Sequence, residues 1–257
     1  MVLKIYKAIN PSQRHYVGIK YDLSSKTPIL KTKLKQKIKI SGRNNQGKTT
    51  ILNRGGGHKK RYRLLINYYK EKYNGIVYSI EYDPNRTANI ASVYNPDSKL
   101  FFYTIAANNL KVGDILKSDT EAQTKIGHLT TLENVSLGCP IYNIASSKMK
   151  CGIISKSAGT YSLILSKFKK KAKLLLSSGK QKLVSINSYC NVGSVSNKAF
   201  FLKQLGKAGR SRWLGLRPHV KGICMNPVDH PNGGGEGKKS SKRKNPWGKV
   251  LRSKKKK

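Results

Sequence analysis

The feature that most limits what this chain can fold into is the segregation of its charge. Residues 1–72 carry 19 basic and 2 acidic side chains, residues 101–166 carry 6 and 4, and residues 199–257 carry 17 and 2. Only the near-neutral middle can close an apolar core without strong self-repulsion. The tail from Gly206 onward is also dense in glycine and proline. Ordering such backbone costs about 1–2 kcal/mol per residue, with little burial to offset it. The expectation is a globular body between two basic arms that take a fixed shape only against a partner. The last residues, Lys254–Lys257, are expected to stay mobile.

A net charge of +41 over 257 residues asks for a polyanionic partner. Nucleic acid fits best, because each phosphate neutralised by Lys or Arg releases condensed counterions. An anionic membrane surface would need a long apolar span or a basic amphipathic helix. No apolar run approaches that length, and Gly and Pro interrupt the basic stretches. Cys139, Cys151, Cys190 and Cys224 are far apart and make no C-x-x-C pair. They read as reduced thiols, two or three of them buried, and not as a disulfide framework or a zinc site. No metal site is expected. Residues Met1–Tyr6 show neither a signal-peptide apolar region nor an Arg/Ser-rich transit helix.

The middle carries strand signals. Ile76, Tyr78, Ile80 and Tyr82 alternate with Val77, Ser79 and Glu81, a period of two. Asp83-Pro84-Asn85-Arg86 is a turn, and strands are expected at 88–94 and 100–105. A second set is expected at 140–145, 151–155, 161–168 and 173–177. Ser177-Ser178-Gly179-Lys180 makes a hairpin into 181–186, with a further strand near 190–195. The best helix candidate is Lys198–Leu205. Two consecutive small β-barrels account for this spacing better than one sandwich.

Gly42-Arg43-Asn44-Asn45-Gln46-Gly47-Lys48-Thr49 satisfies the phosphate-loop pattern G-x-x-x-x-G-K-[ST]. The mechanism also needs a buried parallel strand before it and a helix after it. Here Lys35–Ser41 alternates lysine with isoleucine, and Gly55–Gly57 would end any helix after one turn. The loop reads instead as a basic, Asn-rich contact for RNA phosphates and sugars.

Three segments carry the RNA reading. In Arg54-Gly55-Gly56-Gly57-His58-Lys59-Lys60-Arg61-Tyr62-Arg63, the glycines let backbone approach a phosphate and the cations follow. In Lys207–Pro218, Trp213 stands among Lys207, Arg210, Arg212 and Arg217. It either stacks on an exposed base or caps a barrel core and leaves the arginines to the RNA. In Met225–Gly237, Asp229 beside His230 suggests a carboxylate–imidazole pair. No nucleophile elbow accompanies it, and adjacent residues seldom aim at one point. A structural His230, bonded to RNA or to its own loop, is the preferred reading.

In order along the chain, Gly42–Asn45, Arg54–Lys59, Glu81–Arg86, Ser157–Tyr161, Leu205–Gly209, Met225–Gly237 and Pro246–Gly248 resemble the universal large-subunit ribosomal protein L2 family over almost the whole length. The resemblance implies a mainly β fold, an oligonucleotide-binding (OB) barrel followed by an SH3-like barrel, with extended basic arms. It divides the chain into an arm 1–58, an OB domain 59–130, an SH3-like barrel 131–198 and a C-terminal arm 199–257. It implies a structural role without enzymatic activity: binding large-subunit rRNA, supporting the peptidyl-transferase region, and helping the subunits associate. Its partners are rRNA, other large-subunit proteins and the small subunit through a bridge, with one copy per ribosome and no membrane. No cofactor is implied beyond structural Mg2+ on the rRNA.

The RNA contacts implied are Arg43, Asn44, Asn45, Arg54, Gly55, Gly56, Gly57, His58, Lys59, Lys60, Arg61, Tyr62, Arg86, Lys207, Arg210, Arg212, Trp213, Arg217, Asn226, His230, Asn232, Gly233, Gly234 and Gly235. No catalytic residue is implied, and His230 is the one weak candidate for a role near peptidyl transfer. The family usually carries a second histidine two residues after His230, where this chain has Asn232. That weakens a two-histidine mechanism but keeps a hydrogen-bonding group. The Lys, Asn, Ile and Tyr bias resembles products of AT-rich organellar genomes. It places the protein in a mitochondrial ribosome, with a plastid or a bacterial cytoplasm as alternatives.

Overall fold

A computed structural model describes residues 2–20, 24–25, 27–66, 73–118, 125–147, 151–236 and 244–250. Lys254–Lys257 and Gly237 lie outside them. The chain divides into two units, Met1–Ile38 with Lys59–Arg210, and Lys39–His58 with Ser211–Lys257.

The first unit is built on two sheets. In one, strand Asn74–Glu81 pairs antiparallel with Ile90–Asn95, which pairs with Leu100–Ile105. At its ends Asn74–Glu81 also takes Ser24–Ser25 in parallel and Ile115–Lys117 antiparallel, so the sheet begins to curl on itself. The alternation seen in the sequence is real but interrupted. Val77 points inward while Ile76 and Tyr78 are exposed. A bulge between Val77 and Ser79 then shifts the register. Ile80 thereby joins Tyr73, Val77, Val93, Phe102, Ile105 and Leu116 in the core.

The second sheet has six antiparallel strands in the order Leu129–Thr131, Tyr189–Val192, Pro140–Tyr142, Ser162–Lys167, Lys171–Leu176 and Gln181–Ser185. Its core holds Leu132, Ile141, Ile144, Ile164, Leu174, Val184 and Val192. The Ser177–Lys180 hairpin forms as expected, with Gly179 at φ 75 and its amide on the Leu176 carbonyl. The chain is mainly β, and its sheets accord with an OB barrel followed by an SH3-like one.

Three expectations change. The strand expected at 140–145 breaks at Asn143, which sits at φ 51. Its side chain donates to Asn191 at 3.1 Å, and Ile144–Ala145 turns away to pair with Gly152–Ile154. Asparagine tolerates that left-handed conformation. The helix expected at Lys198–Leu205 is a short 3-10 turn, Lys198–Leu202, that buries no residue. A one-and-a-half-turn α-helix, Ala208–Trp213, instead forms inside the stretch expected to be irregular.

The thiols also differ from expectation. Cys190 alone is buried, Cys139 is half-buried, and Cys151 and Cys224 are exposed. Burial pushes the Cys190 thiol up to about 12, and thiolate is the reactive form. Iodoacetamide at pH 8 should therefore label Cys151 and Cys224 in the native protein and spare Cys190 until denaturant is added. Peptide mass spectrometry reads the sites; labelling of Cys190 at the rate of Cys224 would contradict the packing.

Candidate nucleic-acid interface

In the second unit, the phosphate-loop look-alike is a closed turn. Arg43 and Thr49 pair across it. The Asn44 side-chain carbonyl accepts the amides of Gln46 at 3.1 Å and Lys48 at 2.9 Å. The Gly47 amide goes to the Asn44 carbonyl, and those of Thr50 and Ile51 go to Gly42. The amides that a nucleotide phosphate would need are already donated inside the loop, and no helix follows. What the loop offers outward is Arg43, Asn45 and Lys48, all exposed.

The glycine triplet has a different purpose from the one its composition suggests. Gly55 donates to the Gly215 carbonyl at 3.0 Å, and His58 donates to the Trp213 carbonyl at 3.0 Å. Arg54 bridges Leu216, and the Arg217 amide reaches the Asn53 carbonyl. Gly57 sits at φ 78, where a Cβ would lie 2.7 Å from the Gly215 nitrogen and 2.8 Å from the Trp213 oxygen. Gly57 thus makes room for the chain's own returning segment, Trp213–Gly215. Gly56, at φ 67 with nothing within 4 Å, keeps an open side. His58 meets the Trp213 ring edge-on at 6.1 Å. Trp213 is 51% exposed, so it caps no barrel core. Arg54 and Arg217 are also exposed, while Arg212 is half-buried and lends one N–H to the Leu216 carbonyl at 3.4 Å.

The third segment folds onto itself. His230 is buried, and its Nδ1 accepts the Asn232 amide at 3.0 Å. That is the nitrogen a carboxylate partner would use, so Asp229, which is exposed, does not form a carboxylate–imidazole pair with it. The imidazole lies against Gly222, where a Cβ would fall 2.4 Å from the ring. A Cβ on Gly233 would meet the Asn226 carbonyl oxygen at 2.3 Å, and one on Gly234 would meet Pro227 at 2.5 Å. These two glycines serve the turn itself. Asn226 and Gly235 remain exposed.

In the first unit, Leu34–Gln36 and Arg61–Arg63 pair antiparallel, with Lys35 opposite Tyr62 and Gln36 opposite Arg61. The ribbon walls an open groove of about 550 Å³ lined by Lys31, Leu34, Lys35, Gln36, Lys59, Lys60 and Arg61. Lys31 and Lys35 were not among the residues expected from sequence; the lysine at every second position from Lys31 to Lys39 was the available signal. Behind the groove the buried Tyr103 and Glu81 are paired with each other. Tyr103 donates to Glu81 at 2.9 Å and accepts the Leu30 amide at 3.0 Å, tying the sheet to the chain that enters the groove. Burial raises the Glu81 carboxyl, and the hydrogen bond from Tyr103 partly offsets this. Burial likewise pushes the Tyr103 hydroxyl up to about 12.

Arg86 faces inward. It pairs with the buried Asp83, donates to the Tyr62 hydroxyl at 3.0 Å and stacks over that ring. Asn85 in turn donates to the Arg61 carbonyl at 2.6 Å. Arg86 and Tyr62 therefore brace the groove wall. Arg210 is engaged similarly: it stacks on Tyr16 at 3.6 Å and donates to the carbonyls of Ser12 and Leu205. Lys207 is exposed nearby in sequence. Among the described residues, no group of three or more His, Cys, Asp or Glu could hold a metal ion, and no helix is long and apolar enough to cross a membrane.

Two family models match the chain. One, described as Ribosomal Proteins L2, RNA binding N-terminal domain, covers residues 30–118. The other, Ribosomal Proteins L2, C-terminal domain, covers residues 125–248. The Large ribosomal subunit protein uL2 of Rickettsia peacockii (strain Rustic) is 44% identical over 259 residues, spanning 99% of this chain and 94% of that protein. Its counterpart in Rickettsia rickettsii (strain Sheila Smith) is 43% identical over the same shares.

Proposed function

The chain belongs to the ribosomal protein L2 family, and from that membership we propose how its surfaces divide the work of holding rRNA. It is a structural constituent of the large ribosomal subunit that binds rRNA and other ribosomal components, and it is not an enzyme. The observation that carries the finer reading is the split between outward and inward cations. The groove residues Lys31, Lys35, Lys59, Lys60 and Arg61 contact the phosphate backbone, joined by Arg43, Arg54, Arg217 and Lys207. Trp213 and His58 offer ring surfaces to bases or sugars. Arg86, Tyr62, Arg210 and His230 are positioning residues that shape those surfaces.

The exposed backbone at Gly56 and Gly235, with Asn45 and Asn226, supplies polar contacts to phosphate and sugar, while the side-chain carbonyls of Asn44 and Asn232 hold the protein's own loops. Gly55, Gly57, Gly233 and Gly234 set the local turns. We extend the reading to a single copy per ribosome that supports the peptidyl-transferase region and reaches the small subunit through a bridge. The division into 1–58, 59–130, 131–198 and 199–257 is kept as the functional partition, with Mg2+ confined to the rRNA. The relatives are bacterial. The AT-rich residue bias supports a mitochondrial ribosome as the particle that houses this chain, and mass spectrometry of purified organelle ribosomes tests that placement.

The direct test is salt dependence. Binding of the full chain to folded large-subunit rRNA should weaken steeply with salt. Changing Lys59, Lys60 and Arg61 together to Gln should flatten the log–log slope by roughly 2–3, about 0.7–0.9 per lost phosphate contact. An unchanged slope removes the groove from the interface.

A further inference from the structure

Two loops at opposite ends of the chain share one frame. Asn44-Asn45-Gln46-Gly47-Lys48 and Asn245-Pro246-Trp247-Gly248-Lys249 have the same N-x-x-G-K spacing. Their flanks pair alike, Arg43 with Thr49 and Lys244 with Val250. In each, the Asn amide donates to the Lys carbonyl at 2.9 Å, and the Gly amide donates to the Asn carbonyl, at 3.1 Å and 2.9 Å. In each, the Lys amide reaches the Asn side-chain carbonyl, at 2.9 Å and 2.7 Å. The glycines sit at φ 78 and φ 82. Three matched bonds make this one design used twice.

The loops differ at the tip. The first presents Asn45 and Gln46. The second presents Trp247, 57% exposed, after a proline that fixes the backbone ahead of it. Among the described residues no ring or cation covers Trp247, while Lys244 and Lys249 stand exposed on either side of it. The foot of the loop is held, because the Lys244 amide donates to the Asn232 side-chain carbonyl at 3.2 Å, and Asn232 is itself bonded to His230. A rigid aromatic plane flanked by two cations, in a chain of net charge +41, matches an unpaired base with its own phosphates.

Building on the rRNA-binding role, we infer that Lys244–Val250 is a second RNA-binding loop on the frame of Arg43–Thr49: Trp247 stacks on an unpaired RNA base, and Lys244 and Lys249 take the phosphates beside it. Asn245 and, from outside the loop, Asn232 are its positioning residues.

The test uses full-length protein and folded large-subunit rRNA, with affinity measured across a salt series and hydroxyl-radical footprinting of the complex. Trp247→Ala should lower affinity about tenfold at an unchanged salt slope and lose one short protected stretch. Trp247→Phe should keep most of the binding. Lys249→Gln should flatten the slope by about 0.7. Wild-type affinity and footprint in Trp247→Ala, or a loss that comes with a flattened slope, overturns the stacking role while leaving rRNA binding intact. Absence of binding by the wild-type chain overturns the rRNA reading and this loop with it.

Discussion

Asp83→Ala is expected to lower folding stability by about 3–5 kcal/mol, the usual cost of removing one partner from a buried ion pair. Asp83 is fully buried between two cations, paired with Arg86 and 3.9 Å from the buried Arg63. Its Oδ1 also accepts the Asn85 amide at 2.8 Å, and Asn85 holds the Arg61 carbonyl. Removing the carboxylate leaves two guanidinium groups facing each other with little water, and it frees the turn that braces the groove. The urea midpoint of the RNA-free chain measures the loss. Asp97→Ala, on an exposed turn, should stay within about 0.5 kcal/mol. Equal midpoints for the two variants would mean the Asp83 ion pairs do not hold the turn in place.

Gly57→Val should break the pairing between Arg54–His58 and Trp213–Arg217. The left-handed backbone alone costs a non-glycine residue about 1–2 kcal/mol. The new Cβ would also overlap main-chain atoms of Trp213 and Gly215, which cannot swing aside as a side chain can. Hydrogen exchange should show the Gly55 and His58 amides, which donate to Gly215 and Trp213, losing protection by orders of magnitude. Gly56→Ala is the internal control. It pays the backbone penalty but meets nothing within 4 Å, so its pairing should survive. Protection retained in Gly57→Val would contradict the close approach.

Much of the barrel pair was legible because it depends on local pattern. Leu100–Ile105 and the Ser177–Lys180 hairpin form where alternation and turn chemistry place them. The break at Asn143 was not legible, since it depends on a buried amide 48 residues away, Asn191. The bulge after Val77 was hidden for a similar reason, because alternation continues in the sequence while the backbone inserts an extra residue. For the candidate interface, charge and glycine pointed to segments but not to the orientation of the side chains within them. Arg86 and Arg210 look like phosphate ligands in sequence. Their orientation is set by Asp83 and Tyr62 in one case and by Ser12 and Tyr16 in the other, and the Ser12 contact spans 198 positions. His230 is buried and accepts the Asn232 backbone amide, a bond within its own loop, which was one of the two partners its sequence context suggested.

The unit that joins Lys39–His58 to Ser211–Lys257 is assembled from pieces about 150 residues apart. At roughly 5–20 residues per second of synthesis, its first piece waits on the order of 10–30 s for its second. The glycine strip and the Asn44 loop thus leave the ribosome before the segment that pairs with Gly55 and His58 exists. The OB-type sheet can close during that interval, and the Gly55–Gly57 strip becomes a fixed surface only once Trp213 and Gly215 have been made. Nascent chains stalled before Trp213 should therefore show native protection in strand Ile90–Asn95 and none at the His58 amide, so the shape of the glycine strip waits on synthesis of Trp213–Gly215.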